Sequence, residues 1–165
     1  LSYREHPVAI RVPVGVTLPA TRPVPTDFSA LNTYEVVERG KDVAILALGN
    51  FFSLGERVCR LLEAHGIRAT LINPRYISGV DCDLLNSLAT DHRLVVTLED
   101  GALNGGFGEK IARHFGATGV KTLCYGAKKQ FADRYAPKEF LAANRLVDTM
   151  IVEDIMKHSQ GKLER

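Results

Sequence analysis

The stretch DVAILALGNFFSLGERVCRLLEAHGIRATLIN, residues 42–73, indicates the fold class by itself. Its opening run is almost continuously apolar and ends in Gly49, as is typical of a strand covered on both faces of a sheet. Residues 53–66 then repeat apolar side chains at helical spacing and stop at Gly66, and residues 67–73 are apolar again. A strand, a helix and a second strand in this order predict a βαβ unit with parallel strands.

The same alternation continues along the rest of the chain. We predict further strands at 33–40, 93–99 and 120–126, and helices at 81–92, 105–116, 137–145 and 148–161. Weak alternation in the first of these strands indicates that it lies at a sheet edge. Right-handed crossovers between parallel strands place helices on both faces of the sheet. We therefore expect a three-layer α/β/α domain around a mostly parallel five-stranded sheet.

The composition is ordinary for a globular protein and argues against several partners. The 165 residues carry 21 basic and 19 acidic side chains, a net charge of +2, which is too balanced to indicate nucleic-acid binding. No apolar run approaches the roughly 20 residues that cross a bilayer, so we expect no membrane partner. Cys59, Cys82 and Cys124 lack the spacing of a metal site, and we expect them to be thiols of a cytoplasmic protein.

The beginning of the chain differs in character from the rest. Residues 7–12 form a short β-type run, which we assign to a different domain. Prolines between Pro13 and Pro25 then indicate an extended linker, because proline fixes φ and removes a backbone donor. The chain starts with Leu1 rather than methionine, so we expect it to be part of a longer polypeptide.

A glycine-rich loop, EDGALNGGFGEK, begins at Glu99 and joins a predicted strand to a predicted helix. Such a loop can cradle a phosphate, but the third glycine of the dinucleotide fingerprint is missing and no Gly-Lys pair of a P-loop is present. Glu99 before the loop and Glu109 in the helix would also repel a phosphate. We therefore interpret Gly105, Gly106 and Gly108 as a tight structural passage, packed near a domain or subunit contact.

Two arginines stand at the ends of predicted strands. Arg75 follows the strand at 67–73, and Arg11 ends the run at 7–12. Ligands of open α/β sheets gather beyond the carboxyl ends of the strands, and a guanidinium offers a planar fork of donors to phosphate or carboxylate. Spacing alone leaves open the alternative that both arginines form surface ion pairs.

The sequence contains no complete catalytic constellation. The histidines are dispersed along the chain, and none is spaced with serine, cysteine or acidic residues as a triad or a metal site would require. Cys82 lies beside Asp83, which disfavours a thiolate. From the residues alone we therefore predict no complete catalytic site in this chain.

Several blocks of the sequence occur, in the same order, in the C-terminal part of transketolase-like thiamine diphosphate enzymes. They are PVAIRVPVG, a proline linker, DVAILALGN, ATLINPRYISGVD, LVVTLEDGALNGGFGEKIA and CYGAKKQFADR. The chain resembles in particular the 1-deoxy-D-xylulose 5-phosphate synthase branch, whose blocks read I-R-Y-P-R-G, N-x-R-F-x-x-P-L-D and T-x-E-(E/D)-(N/G)-x-x-x-G-G-x-G. The resemblance covers nearly the whole chain.

The resemblance implies a transferase of the transketolase type with the fold predicted above. Members of this branch condense pyruvate with glyceraldehyde 3-phosphate, release CO₂ and make 1-deoxyxylulose 5-phosphate for isoprenoid and thiamine synthesis. They use thiamine diphosphate and Mg²⁺, and a homodimer is expected. The Mg²⁺ ligands and the glutamate that activates thiamine lie upstream in the family. This chain alone is therefore expected to be inactive and to hold no cofactor.

The resemblance also divides the chain and assigns its two arginines. Residues 1–22 resemble the tail of a pyrimidine-binding domain, residues 23–32 a proline-rich linker, and residues 33–165 a transketolase C-terminal-like domain. Upstream domains of the same polypeptide are then partners of this chain. Arg11 matches the first arginine of I-R-Y-P-R-G, and Arg75 that of N-x-R-F, and both are implied to contact the phosphate of a small phosphorylated aldehyde.

The chain departs from the pattern of this branch at two places, and other functions stay open. Val12 and Val14 replace the tyrosine and second arginine of I-R-Y-P-R-G, and residues 78–80 replace x-P-L. The substrate could therefore be another phosphorylated aldehyde, or the chain a divergent paralogue. Alternatives from other classes are a non-catalytic dimerisation module and the C-terminal half of a transketolase or of a 2-oxoacid dehydrogenase β subunit.

Overall fold

The computed structural model describes residues 7–12, 26–27, 29–131 and 136–159. The chain divides into two compact units, Leu1–Leu31 and Asn32–Arg165. In the first unit, residues 7–12 have exposed side chains and no strand hydrogen bonding. The strand predicted there is absent from this part of the structure, because a β-type run needs the backbone of a neighbouring strand to form a ladder.

All helices and strands of the described chain lie in the second unit. The strands are β1 (Glu35–Glu38), β2 (Asp42–Ala47), β3 (Thr70–Asn73), β4 (His92–Ala102) and β5 (Lys121–Ala127). The helices are α1 (Phe52–Ala64), α2 (Cys82–Asp91), α3 (Phe107–Phe115), α4 (Pro137–Ala143) and α5 (Asp148–Ser159). A single 3₁₀ turn at Gly49–Phe51 leads into α1. Every strand and helix predicted beyond residue 32 is confirmed, although their ends differ by a few residues.

The five strands form one sheet in the order β1-β3-β2-β4-β5. The pairs β2–β3, β2–β4 and β4–β5 are parallel, and β1 runs antiparallel to β3 at one edge. The predicted edge strand and the mostly parallel sheet are therefore confirmed. Because four strands are parallel, they all end at one edge of the sheet and all begin at the other.

The sheet is covered on both faces, which confirms the three-layer prediction. Alternate residues of β2 pack into two separate clusters: Val43 and Ile45 contact the cluster that includes α1 and α5, whereas Ala44 and Leu46 contact the cluster that includes α2 and α3. All four side chains are at most 2% exposed. A strand buried on both faces reads as a continuous apolar run, which explains the opening of the stretch at residues 42–73.

The second helix begins where its sequence predicts. Asp81 is the N-cap of α2, and its Oδ1 accepts a hydrogen bond from the backbone N–H of Leu84 at 3.0 Å. This bond satisfies one of the donors that a helix leaves free in its first turn. No helix among the described residues is both long enough and apolar enough to span a bilayer.

Candidate functional site

The carboxyl edge of the sheet gathers most of the residues that the sequence singled out. Arg75 lies in the loop after β3, and the glycine-rich loop follows β4. Asn50, after β2, donates from Nδ2 to Asp100 near the end of β4 at 3.1 Å. Loops from three adjacent parallel strands therefore converge here, at the edge where open α/β sheets bind ligands.

The backbone at Arg75 has an uncommon conformation. Its φ is +60°, in the left-handed region, and the N–H of Tyr76 donates to the carbonyl of Pro74 at 2.6 Å. The hydrogen bond closes a γ-turn with Arg75 at its centre. A non-glycine residue in this region costs on the order of 1–3 kcal/mol and persists only where its surroundings hold it. Such strain is concentrated at ligand-binding and active sites.

Hydrogen bonds on the far side of the loop hold this turn in place. Ser78 donates from Oγ to Asn32 Oδ1 at 2.9 Å, and Lys110 donates from Nζ to the carbonyl of Ile77 at 2.7 Å. Gly79 packs so closely on Asn32 that a Cβ there would lie 2.6 Å from Asn32 Nδ2. The residues that replace the family's x-P-L are therefore fixed by partners from other segments of the chain.

A tyrosine and an aspartate anchor the end of the same loop. Tyr34 donates from its hydroxyl to the carbonyl of Gly79 at 3.0 Å, and burial raises the pKa of Tyr34 to about 12, so the hydroxyl stays protonated. Asp81 Oδ2 accepts from the N–H of Tyr34 at 2.8 Å, while its other oxygen caps α2. Asp81, which ends the N-x-R-F-x-x-P-L-D block, thus ties the loop to β1 and α2.

The guanidinium of Arg75 uses only some of its hydrogen-bond donors within the described residues. Its Nη2 donates to the carbonyl of Thr33 at 3.0 Å, and its guanidinium carbon lies 6.0 Å from the ring centroid of Tyr76. Its Nε–H is buried and has no hydrogen-bond partner among the described residues. An unmet buried donor is costly, so this guanidinium is incompletely satisfied by the described residues.

Arg11, the second predicted phosphate contact, belongs to the first unit. It ends the described run of residues 7–12 next to Val12, and its side chain is exposed. Arg75 belongs to the second unit, Asn32–Arg165. The joint role of Arg11 and Arg75 around one phosphate stays a prediction.

A buried carboxylate occupies the helix end that follows the glycine-rich loop. Glu99 is 3% exposed, and its two oxygens accept hydrogen bonds from the N–H groups of Phe107 and Gly108, each at 2.8 Å. A negative charge at a helix N-terminus is favourable, because it complements the helix dipole and satisfies free donors. The protein's own carboxylate thus takes the place that a phosphate would need at this loop.

Three glycines of the loop, Gly105, Gly106 and Gly108, have a steric or conformational reason within the chain. A Cβ at Gly106 would lie 2.5 Å from Glu99 Oε2, and a Cβ at Gly108 would lie 2.7 Å from Thr97 Oγ1. Gly105 has a φ of +72° and donates its N–H to Glu109 Oε2 at 2.8 Å. These contacts account for a tight passage, and the proposed contact of this loop with another domain or subunit stays a prediction.

A row of hydrogen bonds that the sequence pattern does not reveal links an aspartate, a histidine and a threonine at the opposite edge of the sheet. Asp91 Oδ1 lies 2.6 Å from His92 Nδ1, and His92 Nε2 lies 2.8 Å from Thr70 Oγ1. Thr70 is 1% exposed, and its hydroxyl also accepts from the N–H of Gly40 at 2.9 Å. A hydroxyl so enclosed has no access to a substrate. These hydrogen bonds therefore have a structural role, in linking the beginnings of β3 and β4.

Two of the three thiols, Cys59 and Cys124, offer no alternative reaction centre, and the third, Cys82, is exposed. Burial raises the pKa of Cys59 to about 12 and also raises that of Cys124, so neither thiol is a ready nucleophile. No group of three or more His, Cys, Asp and Glu residues in the part of the chain that the structure describes could hold a metal ion. What the carboxyl edge offers is a strained, partly unsatisfied arginine.

Comparison with known proteins identifies the family. Residues 32–158 match the transketolase, C-terminal domain family. The chain is 32% identical over 163 residues to the 1-deoxy-D-xylulose-5-phosphate synthase of Gloeothece citriformis (strain PCC 7424), with 95% of this chain and 25% of that protein covered. A protein of the same name from Synechococcus sp. (strain JA-2-3B'a(2-13)) is 33% identical over 171 residues, with 99% and 26% covered. The chain thus spans about a quarter of the length of these curated relatives.

Solved structures agree with this assignment. The fold resembles a split gene transketolase described as an inactive beta4 tetramer, with a TM-score of 0.71, 27% identity, and 81% of this chain and 46% of that chain covered. A transketolase mutant from Pichia stipitis has a TM-score of 0.54 at 14% identity over 79% of this chain and 19% of its own, which shows the fold alone. The predicted resemblance is confirmed: the chain belongs to the transketolase C-terminal domain family.

Proposed function

We propose that this chain is the C-terminal domain of a thiamine diphosphate-dependent 1-deoxy-D-xylulose 5-phosphate synthase. The whole protein would be a cytoplasmic transferase that condenses pyruvate with glyceraldehyde 3-phosphate and releases CO₂. The names of the curated relatives support this proposal. The observation that carries it is Arg75, held in a strained turn at the carboxyl edge with a buried, unmet Nε–H.

In this proposal Arg75 binds the phosphate of the aldehyde substrate, and Arg11 contributes a second cation. Each charge-assisted hydrogen bond would supply roughly 1.5–3 kcal/mol. Because the phosphate is remote from the reacting carbonyl, its binding energy can offset the cost of orienting that carbonyl for attack. Val12 and Val14, in place of a tyrosine and an arginine, leave one cation fewer and make a different phosphorylated aldehyde the main substrate alternative.

The chemistry at the reacting carbon would come from thiamine diphosphate and Mg²⁺ held by upstream domains of the same polypeptide. The described residues include no cluster of acidic, histidine or cysteine side chains suited to a metal ion. This chain would position substrate without holding the cofactor. We expect the 165-residue chain alone to be inactive.

Product analysis tests this proposal. The whole protein that contains this chain is incubated with thiamine diphosphate, Mg²⁺, pyruvate and glyceraldehyde 3-phosphate. The proposal predicts release of one CO₂ for each 1-deoxyxylulose 5-phosphate formed. Two parallel incubations test the alternatives. Transfer of a two-carbon ketol unit from a ketose phosphate to glyceraldehyde 3-phosphate, without CO₂ release, would assign the protein to a transketolase. Reductive acetylation of an added lipoyl acceptor by pyruvate, with CO₂ release, would assign it to a 2-oxoacid dehydrogenase.

A second candidate is a non-catalytic module that serves dimerisation. It is favoured by the similarity to a split gene transketolase described as an inactive beta4 tetramer, and by a glycine-rich loop that is filled from within the chain. Sedimentation of the 165-residue chain tests this role. A strict monomer at high concentration would exclude this domain as the main source of homodimer formation.

A further inference from the structure

The amino edge of the sheet, opposite Arg75, carries a row of positive charges. Each of the five strands has one cation there. In the parallel strands the cation lies within two residues of the strand's first residue, and in the antiparallel β1 it follows the last residue. In the spatial order β1-β3-β2-β4-β5 these cations are Arg39, Arg68, Lys41, Arg93 and Lys121. Adjacent strands lie about 4.8 Å apart, so neighbouring cations in the row can reach one ligand together.

The same five cations line a single cleft of about 820 Å³. This volume lies in the range of about 300–1,000 Å³ that is usual for small-molecule sites. Asp42 is the one carboxylate among the described residues that line it. Its Oδ1 lies 3.5 Å from Arg93 Nε, with both side chains more than half exposed, so this pair contributes little.

The other four cations have no ion-pair or hydrogen-bond partner among the described residues that would account for their position. Among the described residues, Arg39, Lys41, Arg68 and Lys121 make no ion pair and no side-chain hydrogen bond. Like charges gathered in a concave surface repel one another and raise the local positive potential. The arrangement therefore makes this edge a surface that attracts small anions.

The helix ends at this edge do not require these cations either. The last carbonyls of α1 are satisfied by backbone, because Gly66 donates to Glu63 at 2.9 Å and Ile67 donates to Leu62 at 3.0 Å. At the end of α3, Thr118 donates its N–H to the carbonyl of Phe115 at 2.8 Å. The cationic side chains are thus left available to a ligand.

We propose that this cleft binds a small molecule that carries a diphosphate group. Arg39 and Arg68 offer planar forks that suit phosphate oxygens, and Lys41 and Lys121 add point charges along the same row. The concave shape, in a chain with a net charge of only +2, favours a small anion over a nucleic-acid backbone. The cleft lies at the opposite edge of the sheet from Arg75 and does not depend on the proposed reaction.

Isothermal titration of the whole protein with inorganic diphosphate tests this site. Thiamine diphosphate is supplied only in the stoichiometric amount that fills a cofactor site, because an excess would itself compete for the cleft. We expect a saturable binding event that the double variant Lys41→Glu/Lys121→Glu weakens at least tenfold. The matched control is Arg60→Glu/Lys138→Glu, which makes the same charge change at two exposed positions outside the cleft lining. The control is expected to bind within twofold of the unsubstituted protein.

Three results would overturn the proposal. They are the absence of diphosphate binding under these conditions, equal weakening by the two double variants, and displacement of diphosphate by a short DNA duplex at lower concentration than by inorganic phosphate. If circular dichroism shows that Lys41→Glu/Lys121→Glu does not fold, the neutral pair Lys41→Gln/Lys121→Gln replaces it. The neutral pair is expected to weaken binding at least threefold, and binding equal to that of the unsubstituted protein would also overturn the proposal.

Discussion

Glu99, buried at the end of β4, accepts a hydrogen bond from the backbone N–H of Gly108 at 2.8 Å. Its other oxygen accepts from Phe107 at the same distance. One carboxylate therefore closes the helix end that the glycine-rich loop seemed to open to a ligand. The candidate phosphate contact is therefore Arg75, in the loop after β3, and not the glycine-rich loop.

Glu99→Gln tests the capping role of this carboxylate. A glutamine has one acceptor oxygen, and its NH₂ group would face a backbone N–H in a buried site. We expect the free energy of unfolding to fall by about 1–3 kcal/mol. Chemical denaturation measures this change, with Glu109→Gln, an exposed carboxylate that accepts from Gly105, as the control. Equal stability of Glu99→Gln and the unsubstituted protein would contradict the role.

Gly108→Ala tests the close approach of α3 to the sheet. The added Cβ would lie 2.7 Å from Thr97 Oγ1 and 2.9 Å from Cys124 Cβ. Overpacking of this kind costs typically about 1–3 kcal/mol of unfolding free energy. At Gly116 the nearest atom to a new Cβ is 3.4 Å away, so Gly116→Ala is the matched control and should be close to neutral. A thermal shift of the same size in both variants would refute this explanation.

Asp154 provides a pH-dependent part of the stability. Burial disfavours its charge, but hydrogen bonds from Arg145 and Tyr125 outweigh this effect and hold the pKa of Asp154 below its ordinary value. Arg145 donates from Nη2 at 2.7 Å and Tyr125 from its hydroxyl at 3.0 Å. These bonds join β5, the end of α4 and α5, so Asp154→Asn should lower the free energy of unfolding by about 1–3 kcal/mol at neutral pH.

The sign of the pH dependence follows from the direction of that shift. A carboxylate whose folded pKa is lowered stabilises the fold above the unfolded pKa, about 3.9 for aspartate, and this stabilisation is lost as the pH falls through the folded pKa. The gap between the unsubstituted protein and Asp154→Asn should therefore be constant near neutral pH and close at acidic pH. Urea titrations at several pH values measure it. A gap that stays constant down to pH values about two units below 3.9 would contradict the assignment.

Arg75→Gly and Arg75→Ala separate backbone strain from the function of the side chain. Both remove the guanidinium, but only glycine occupies a φ of +60° without a steric cost. We expect Arg75→Gly to be more stable than Arg75→Ala by about 1 kcal/mol, with equal loss of phosphate recognition. Denaturant titration of the two variants side by side provides the measurement. If alanine is as stable as glycine, the turn stores no strain.

The sheet and its helical layers could be predicted from the sequence, because a strand buried on two faces has a continuous run of apolar residues. Ile45 and Leu46 pack on opposite faces of the same strand and are both fully buried, which produces the continuous apolar run. The helix cap at Asp81 could also be predicted, because a cap and its helix are neighbours in the sequence. Features that depend on neighbours in sequence were therefore predictable.

The remaining features depend on segments that meet only in the folded chain. Glu99 lies eight residues before the start of α3, so the sequence suggested only its charge. Nothing in Asn-Pro-Arg-Tyr requires a left-handed arginine, since Arg75 is held there by contacts of its loop with Asn32 and Lys110. The row of cations at the amino edge exists only because of the strand order, which the sequence does not state.

The central claim is that Arg75 recognises the phosphate of the aldehyde substrate, and steady-state kinetics of the whole protein test it. The measurement is KM for glyceraldehyde 3-phosphate and for unphosphorylated glyceraldehyde, in the unsubstituted protein, Arg75→Ala and the control Arg60→Ala. We predict that Arg75→Ala raises KM for the phosphorylated aldehyde at least tenfold, about 1.4 kcal/mol, and leaves KM for glyceraldehyde within twofold. An unchanged KM for glyceraldehyde 3-phosphate, or equal rises for both aldehydes, would contradict the claim.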